Sequence, residues 1–227
     1  MKIAALTITH ERPAFMPWLL WNFEKQTYGD KHLIVVDSSQ PPLTTNRSDV
    51  TVIYTDNNNV AHKRNLAMQA ARDGGYDAIA WFDDDDWSHP ERLAYTAQML
   101  ADHPEAAMVG TQWAWFVDVF SQRVKRFCDR KRPLFTGSLY RLDGLPLFDE
   151  SIPFGSDTDW LNRIEGQVGG TFEPLSFFLC HDTNMGNTSA AHGATFNRGL
   201  EDVLDLVGRR DYGRTLGNLN ELRRRLK

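Results

Sequence analysis

Residues 76–93 read YDAIAWFDDDDWSHPERL, and the order of residue types within them decides the fold. Ala78 to Phe82 is a short, wholly apolar run behind the turn signal Gly74-Gly75, the pattern of a buried strand. It stops abruptly in four aspartates, Asp83 to Asp86. Adjacent carboxylates repel, by about 4 kcal/mol for two unit charges ~4 Å apart at an effective dielectric near 20. Either water solvates such a cluster or a cation neutralises it. Ser88-His89-Pro90-Glu91 then has the spacing of a capping box and predicts a helix running to about Ala101. Carboxylates between a strand and a helix stand at the carboxyl end of that strand, where open α/β sheets bind ligands.

If strand geometry continues through the aspartates, Asp83 and Asp85 share one face, and Asp84 and Asp86 the other. Two carboxylates on one side suit Mg²⁺ or Mn²⁺ bridging to a diphosphate. The alternative is a solvated acidic turn.

Upstream, the pattern alternates. Residues 2–9 read as a strand, and Pro13 opens a helix with Phe15, Trp18, Leu19 and Phe23 on one side. His32 to Val36 is a second strand ending at Asp37, followed by a polar loop carrying Pro41-Pro42. Val50 to Tyr54 is a third strand. Asn57-Asn58-Asn59 caps a helix from about Val60 to Arg72, which Gly74-Gly75 ends. Strand alternating with helix predicts a mostly parallel, doubly wound sheet.

Beyond Met108 the connections shorten. Trp113 to Phe120, Arg123 to Phe127 and Ser138 to Arg141 read as strands, and Asp157 to Gly166 as a helix. From Leu200 onward, apolar residues fall at 200, 203, 204 and 207, then at 219, 222 and 226.

Composition narrows the function classes. The formal charge of −5 offers no global positive field to nucleic acid. The basic run Arg223 to Arg225 reads as a solvated helix end, and Leu219, Leu222 and Leu226 as a possible homodimer seam. Cys128 and Cys180 read as buried free thiols. The apolar start is too short for a signal peptide, and no stretch approaches the ~20 apolar residues of a membrane span. The expected location is the cytoplasm.

Three further clusters carry chemistry. His62-Lys63-Arg64 opens its helix, as a solvated basic face or as an anion site that also uses the helix terminus. Asp157, within Ser156-Asp157-Thr158-Asp159-Trp160, is equally a helix cap or a general base. His181, after Phe177-Phe178-Leu179-Cys180, suits a structural hydrogen-bonder. The aromatics Trp113, Trp115, Phe116, Phe135, Tyr140, Phe154 and Trp160 are expected to build core and acceptor side, with Trp160 nearest Asp157 in sequence. Trp87 suits a lid or core packing.

The ordered set TITHERP…QTYGDKHLIVVDSS, NNNVAHKRNLAMQAA, YDAIAWFDDDDWSHPERL, TGSLYR, FDESIPFGSDTDWLNRI and CHDTNMGNTS resembles family 2 glycosyltransferases, inverting nucleotide-sugar-dependent enzymes, from about Ile3 to Ser189. The resemblance implies an α/β GT-A fold: a Rossmann-like, mostly parallel central sheet flanked by helices, with a smaller acceptor-side mixed sheet. It implies a domain over 1–195, split into a nucleotide-sugar-binding half (1–103) and an acceptor half (104–195), with a helical tail at 196–227. Thr7, Thr9, Arg12, Asp37, Lys63, Arg64, Asp83 and Asp84 match nucleotide-sugar positions. Asp83 and Asp85 match the ends of the DxD metal motif, and His181 a late metal ligand. Asp157 matches the catalytic base, with Ser156 where the family has Glu.

The implied cofactor is Mn²⁺ or Mg²⁺ and the implied donor a UDP-sugar, for hexosyl or hexosaminyl transfer. The acceptor hydroxyl is left open among glycan, lipid-linked glycan, protein, small molecule and modified nucleic acid. A nucleotidyltransferase would usually carry a glycine-rich first loop, which Thr9-His10-Glu11-Arg12-Pro13 lacks. A non-catalytic nucleotide-sugar-binding module is the other alternative.

Overall fold

The computed structural model describes residues 1–118, 121, 123–129, 131–170, 176–180 and 198–199. The 196–227 tail, apart from residues 198–199, and His181 lie outside the described residues.

The first half forms β1 (Ile3–Thr9), α1 (Met16–Glu24), β2 (Lys31–Asp37), β3 (Val50–Tyr54), α2 (Val60–Asp73), β4 (Ala78–Trp81), β5 (Trp87–Ser88) and α3 (Arg92–Asp102). The second forms β6 (Met108–Thr111), β7 (Trp113–Asp118), β8 (Arg123–Cys128), β9 (Ser138–Arg141), α4 (Ser156–Asn162), β10 (Gln167–Gly170), β11 (Ser176–Cys180) and β12 (Arg198–Gly199). Seven strands make the main sheet in the order β10-β6-β9-β4-β1-β2-β3. β9 pairs antiparallel with both neighbours, and the other pairings are parallel. A smaller mixed sheet has the order β12-β8-β7-β11-β5.

The strand sequences explain the layers. Successive side chains of a strand point to opposite faces. Ala4 and Leu6 of β1, Ile34 and Val36 of β2, and Ile79 and Trp81 of β4 join one core with Ala67 and Met68 of α2 and Trp160 of α4. Ile3 and Ala5, Leu33 and Val35, and Ala78 and Ala80 face the other way, onto Leu19 and Phe23 of α1 and Leu93 and Leu100 of α3. A sheet covered on both faces needs apolar residues on both, as in the runs Ile3–Leu6, Leu33–Val36 and Ala78–Trp81. A third cluster, with Trp18, Trp87, Trp113, Trp115, Val124 and Phe177, joins the small sheet to α1. Trp87 is therefore a core residue.

Helix signals held at α2 and failed at α3. The Asn59 side chain accepts from the His62 amide at 3.0 Å, and Gly74 closes the helix. No capping box forms at residues 88–91: Ser88 is in β5, and the residue before α3, Glu91, makes no side-chain cap. The Ser88 hydroxyl instead accepts from the Arg92 guanidinium at 2.9 Å. α1 begins at Met16, after a turn at Pro13, and α4 ends at Asn162 rather than Gly166. Cys180 is buried as expected; Cys128 is exposed on β8.

Truncating Leu33, fully buried in the second core, should lower unfolding free energy by about 2–5 kcal/mol in Leu33→Ala. A urea titration checks this: the midpoint drops with an unchanged slope.

Candidate active site

β1, β2 and β4 run parallel and end together, so Thr9, Asp37 and residues 82–86 gather at one rim of the main sheet. Beyond Trp81 the chain leaves the strand. The Phe82 amide still bonds Leu6 at 2.8 Å, and the Asp86 amide then turns back to the Asp83 carbonyl at 3.4 Å. The alternation expected through the aspartates does not hold, because they form a turn. Asp84 and Asp85, not Asp83 and Asp85, meet at one guanidinium. Arg12 donates to Asp84 Oδ1 at 2.6 Å and to Asp85 Oδ2 at 2.7 Å. Thr9 donates to the second oxygen of Asp84 at 2.7 Å.

The far end of the turn is pinned to other elements. The Asp86 carbonyl accepts from Trp18 at 2.9 Å and Asn22 at 3.2 Å, both on α1. Its carboxylate accepts the Leu179 amide of β11 at 3.0 Å. Arg92 lies fully buried behind the turn, donating to the Trp81 carbonyl at 2.7 Å. Asp83 makes no side-chain hydrogen bond among the described residues and faces Asp85, Arg64, Asp157 and Arg92.

Electrostatics mark the turn as short of positive charge. Burial, then repulsion from Asp85, pushes the Asp83 carboxyl up to about 6. The same two causes push Asp84 up to about 7, although Arg12 and the Thr9 hydroxyl oppose them. Asp86 is driven well above the usual carboxylate range by burial, Asp85 and Asp83. Arg92 is lowered to about 10 by burial. Burial also pulls on Arg12, but Asp85 and Asp84 raise it overall.

Several expected binding residues support the seat from beneath. Thr7 is buried and donates to the Phe82 carbonyl at 2.6 Å. Asp37 is 0% exposed; its oxygens accept from Ser39 and from the Leu43 amide, shaping the loop after β2. Lys63 does not belong to a solvated basic face. It is 1% exposed, and its ammonium donates to the Thr9 carbonyl, the Ser38 hydroxyl and the Asn58 side chain at 2.8–3.1 Å. Burial lowers it to about 8, against Asp37 and Asp84. His62 pairs with Glu150 at 3.1 Å.

Arg64 reaches the other side of the site. Its guanidinium packs against the rings of Phe135, Phe148 and Trp81, and donates to the Ser156 hydroxyl at 3.1 Å. Asp157 lies in the first turn of α4 but does not cap it. Gly155 holds that position at φ 74°, a left-handed conformation that glycine adopts freely. The structure thus brings Asp157, Arg64 and Asp83 within electrostatic reach of one another. Trp160 is fully buried against Phe148, whereas Phe154, three residues before Asp157, is 86% exposed. Sequence reading missed Arg92 and Asn22; each acts through tertiary contacts that leave no local pattern.

Among the described residues, no three His, Cys, Asp or Glu side chains converge as a metal site. The donor chemistry still fits a hard divalent cation: Asp83 and Asp85 supply carboxylate oxygens where negative charge exceeds the neighbouring positive charge.

Raised carboxyl pKa values make the folded state bind more protons than the unfolded chain. The stability they confer is present below pH ~4 and is lost as pH rises through about 6 to 7. Thermal midpoints of metal-free protein from pH 4.5 to 7.5 should therefore fall, and Asp84→Asn should flatten that fall.

Comparisons with known proteins agree with this arrangement. The model of Glycosyl transferase family 2 matches residues 5–165, well over half of the chain. No curated protein sequence matches. Among solved structures, S. aureus TarS 1–349 with UDP-GlcNAc aligns at TM-score 0.63 and 14% identity over 91% of this chain and 65% of that one. The same protein with UDP aligns at TM-score 0.60 and 14% identity, over 79% and 61%. The mannosyltransferase PcManGT from Pyrobaculum calidifontis, with GDP-Man and Mn²⁺, aligns at 0.59 and 16%, over 83% and 59%. The chain thus spans about three fifths of the length of these structures, whose likeness establishes the GT-A fold. With the family match over its main sheet and acid turn, the chain belongs to glycosyltransferase family 2.

Proposed function

We propose that this glycosyltransferase moves a sugar from a nucleoside diphosphate donor, UDP-linked, to an acceptor hydroxyl with inversion and with help from a divalent cation. The observation that carries the reading is the meeting of two acids from opposite halves of the chain. Asp83 comes from the rim of the parallel sheet and Asp157 from α4, with Arg64 interacting electrostatically with both.

Asp157 is assigned as general base. It takes the acceptor proton as the acceptor oxygen forms its bond to the anomeric carbon. The bond from that carbon to the diphosphate oxygen breaks on the opposite face, and the nucleoside diphosphate leaves with the electron pair. Asp83 and Asp85 would hold Mn²⁺ or Mg²⁺, with His181 as a further ligand. The ion would supply neutralisation of charge on the departing diphosphate. Thr7, Thr9, Asp37, Lys63 and Asp84 are assigned to the donor seat, whose shape they hold. Residues 1–103 form the donor half and 104–195 the acceptor half. The UDP assignment draws on the nucleotide named for the TarS structures.

A positioned base typically contributes about 10²–10⁴ in rate. Asp157→Asn should therefore raise the barrier by about 2.7–5.4 kcal/mol. Donor affinity, measured by calorimetry with UDP-GlcNAc and Mn²⁺, should stay within about twofold, since Asp157 is assigned neither to the donor seat nor to the ion. UDP release at the wild-type rate would exclude Asp157 as base. Release of pyrophosphate from UTP would instead identify a nucleotidyltransferase, and release of neither product a binding module.

A further inference from the structure

We infer that Arg64 is a positioning residue that locks α4, and with it Asp157, against the acid turn. The inference rests on Asp157 being the base, and it reassigns Arg64 away from direct contact with the donor.

Arg64 is anchored on three sides. The guanidinium carbon lies 4.6 Å from the ring centre of Phe135, 5.1 Å from Phe148 and 5.8 Å from Trp81. These rings pack against one another and against Trp160 of α4: Trp81 stacks on Phe135 at 5.4 Å, and Phe148 on Trp160 at 4.6 Å. Such a box fixes a planar cation in direction as well as position. The rings come from β4, from the segments before β9 and α4, and from α4 itself, so the guanidinium sits where these pieces meet.

Among the described residues its polar edge donates one hydrogen bond, to the hydroxyl of Ser156. Ser156 is buried, next to Asp157, and is the first residue of α4. A hydroxyl accepts the N–H without cancelling the positive charge. That charge faces Asp83 of the turn, Asp157 of α4 and Tyr140 of β9. One cation thus fixes the register of α4 through Ser156 and attracts both acids that the reaction needs.

Arg64→Met, Arg64→Lys and Ser156→Ala separate this role from donor binding. UDP release from UDP-GlcNAc with Mn²⁺ is followed for kcat and donor KM. Arg64→Met should lower kcat about 10–100-fold. Its donor KM should stay within about twofold. Arg64→Lys should restore part of kcat. Ser156→Ala, which keeps the charge, should lower kcat less.

A donor KM that rises with kcat retained would make Arg64 a phosphate ligand and overturn the inference. An Arg64→Met enzyme with wild-type kcat would overturn it too. If Arg64→Met does not fold, Arg64→Lys and Ser156→Ala decide: unchanged kcat in both overturns the inference. Asp157→Asn, run alongside, keeps the two readings apart. If it is inactive while Arg64→Met is fully active, only the positioning role fails; if it is fully active, the base assignment itself fails.

Discussion

Mutual repulsion among the carboxylates of one turn is the constraint to which the rest of this structure answers. Four aspartates follow a fully buried strand, and two of them, Asp84 and Asp85, remain buried themselves. Three arginines from three elements approach the cluster. Arg12 grips Asp84 and Asp85 from the end of β1, Arg64 comes from α2, and Arg92 lies beneath in α3. Removing such charges from water is costly unless they are paired and hydrogen-bonded. Even so, Asp83, Asp84 and Asp86 keep raised proton affinities. The protein supplies less positive charge than the turn needs, and a site short of cation is suited to receive one.

This balance separates support from site. Lys63 and Thr9 belong to the stretches that flag a nucleotide-binding rim, yet their side chains are buried and bonded to protein atoms. Asp83 and Asp157 are each partly exposed, and neither has a guanidinium at hydrogen-bond distance among the described residues. Phe154, just before α4, is exposed, whereas Trp160 fills the core.

Much of the fold was legible in the chain. Strands buried on both faces are continuous apolar runs, so β1, β2 and β4 announce themselves, and Asn59 marks the start of α2 by a local bond. What failed depended on distant partners. Ser88 looked like a helix cap but lies in a two-residue strand held by β11, about 90 residues later. The alternation assumed for Asp83 to Asp86 failed because Trp18, Asn22 and Leu179 hold the segment as a turn. Arg92 looked like an ordinary helix residue, and nothing in its neighbours foretold a buried cation facing the turn. Family motifs named residues that gather at one rim of the sheet, but they could not say which side chains are buried and bonded to the protein.

The central claim is that the acid turn seats a divalent ion together with a nucleoside diphosphate. Calorimetric titration of UDP into the protein, with and without Mn²⁺, tests it most directly. The account predicts Mn²⁺-dependent binding that is lost when Asp83 and Asp85 are both changed to Asn, with the fold intact by circular dichroism. Equal UDP affinity with and without the ion, or undiminished Mn²⁺-dependent binding in the double variant, would contradict it.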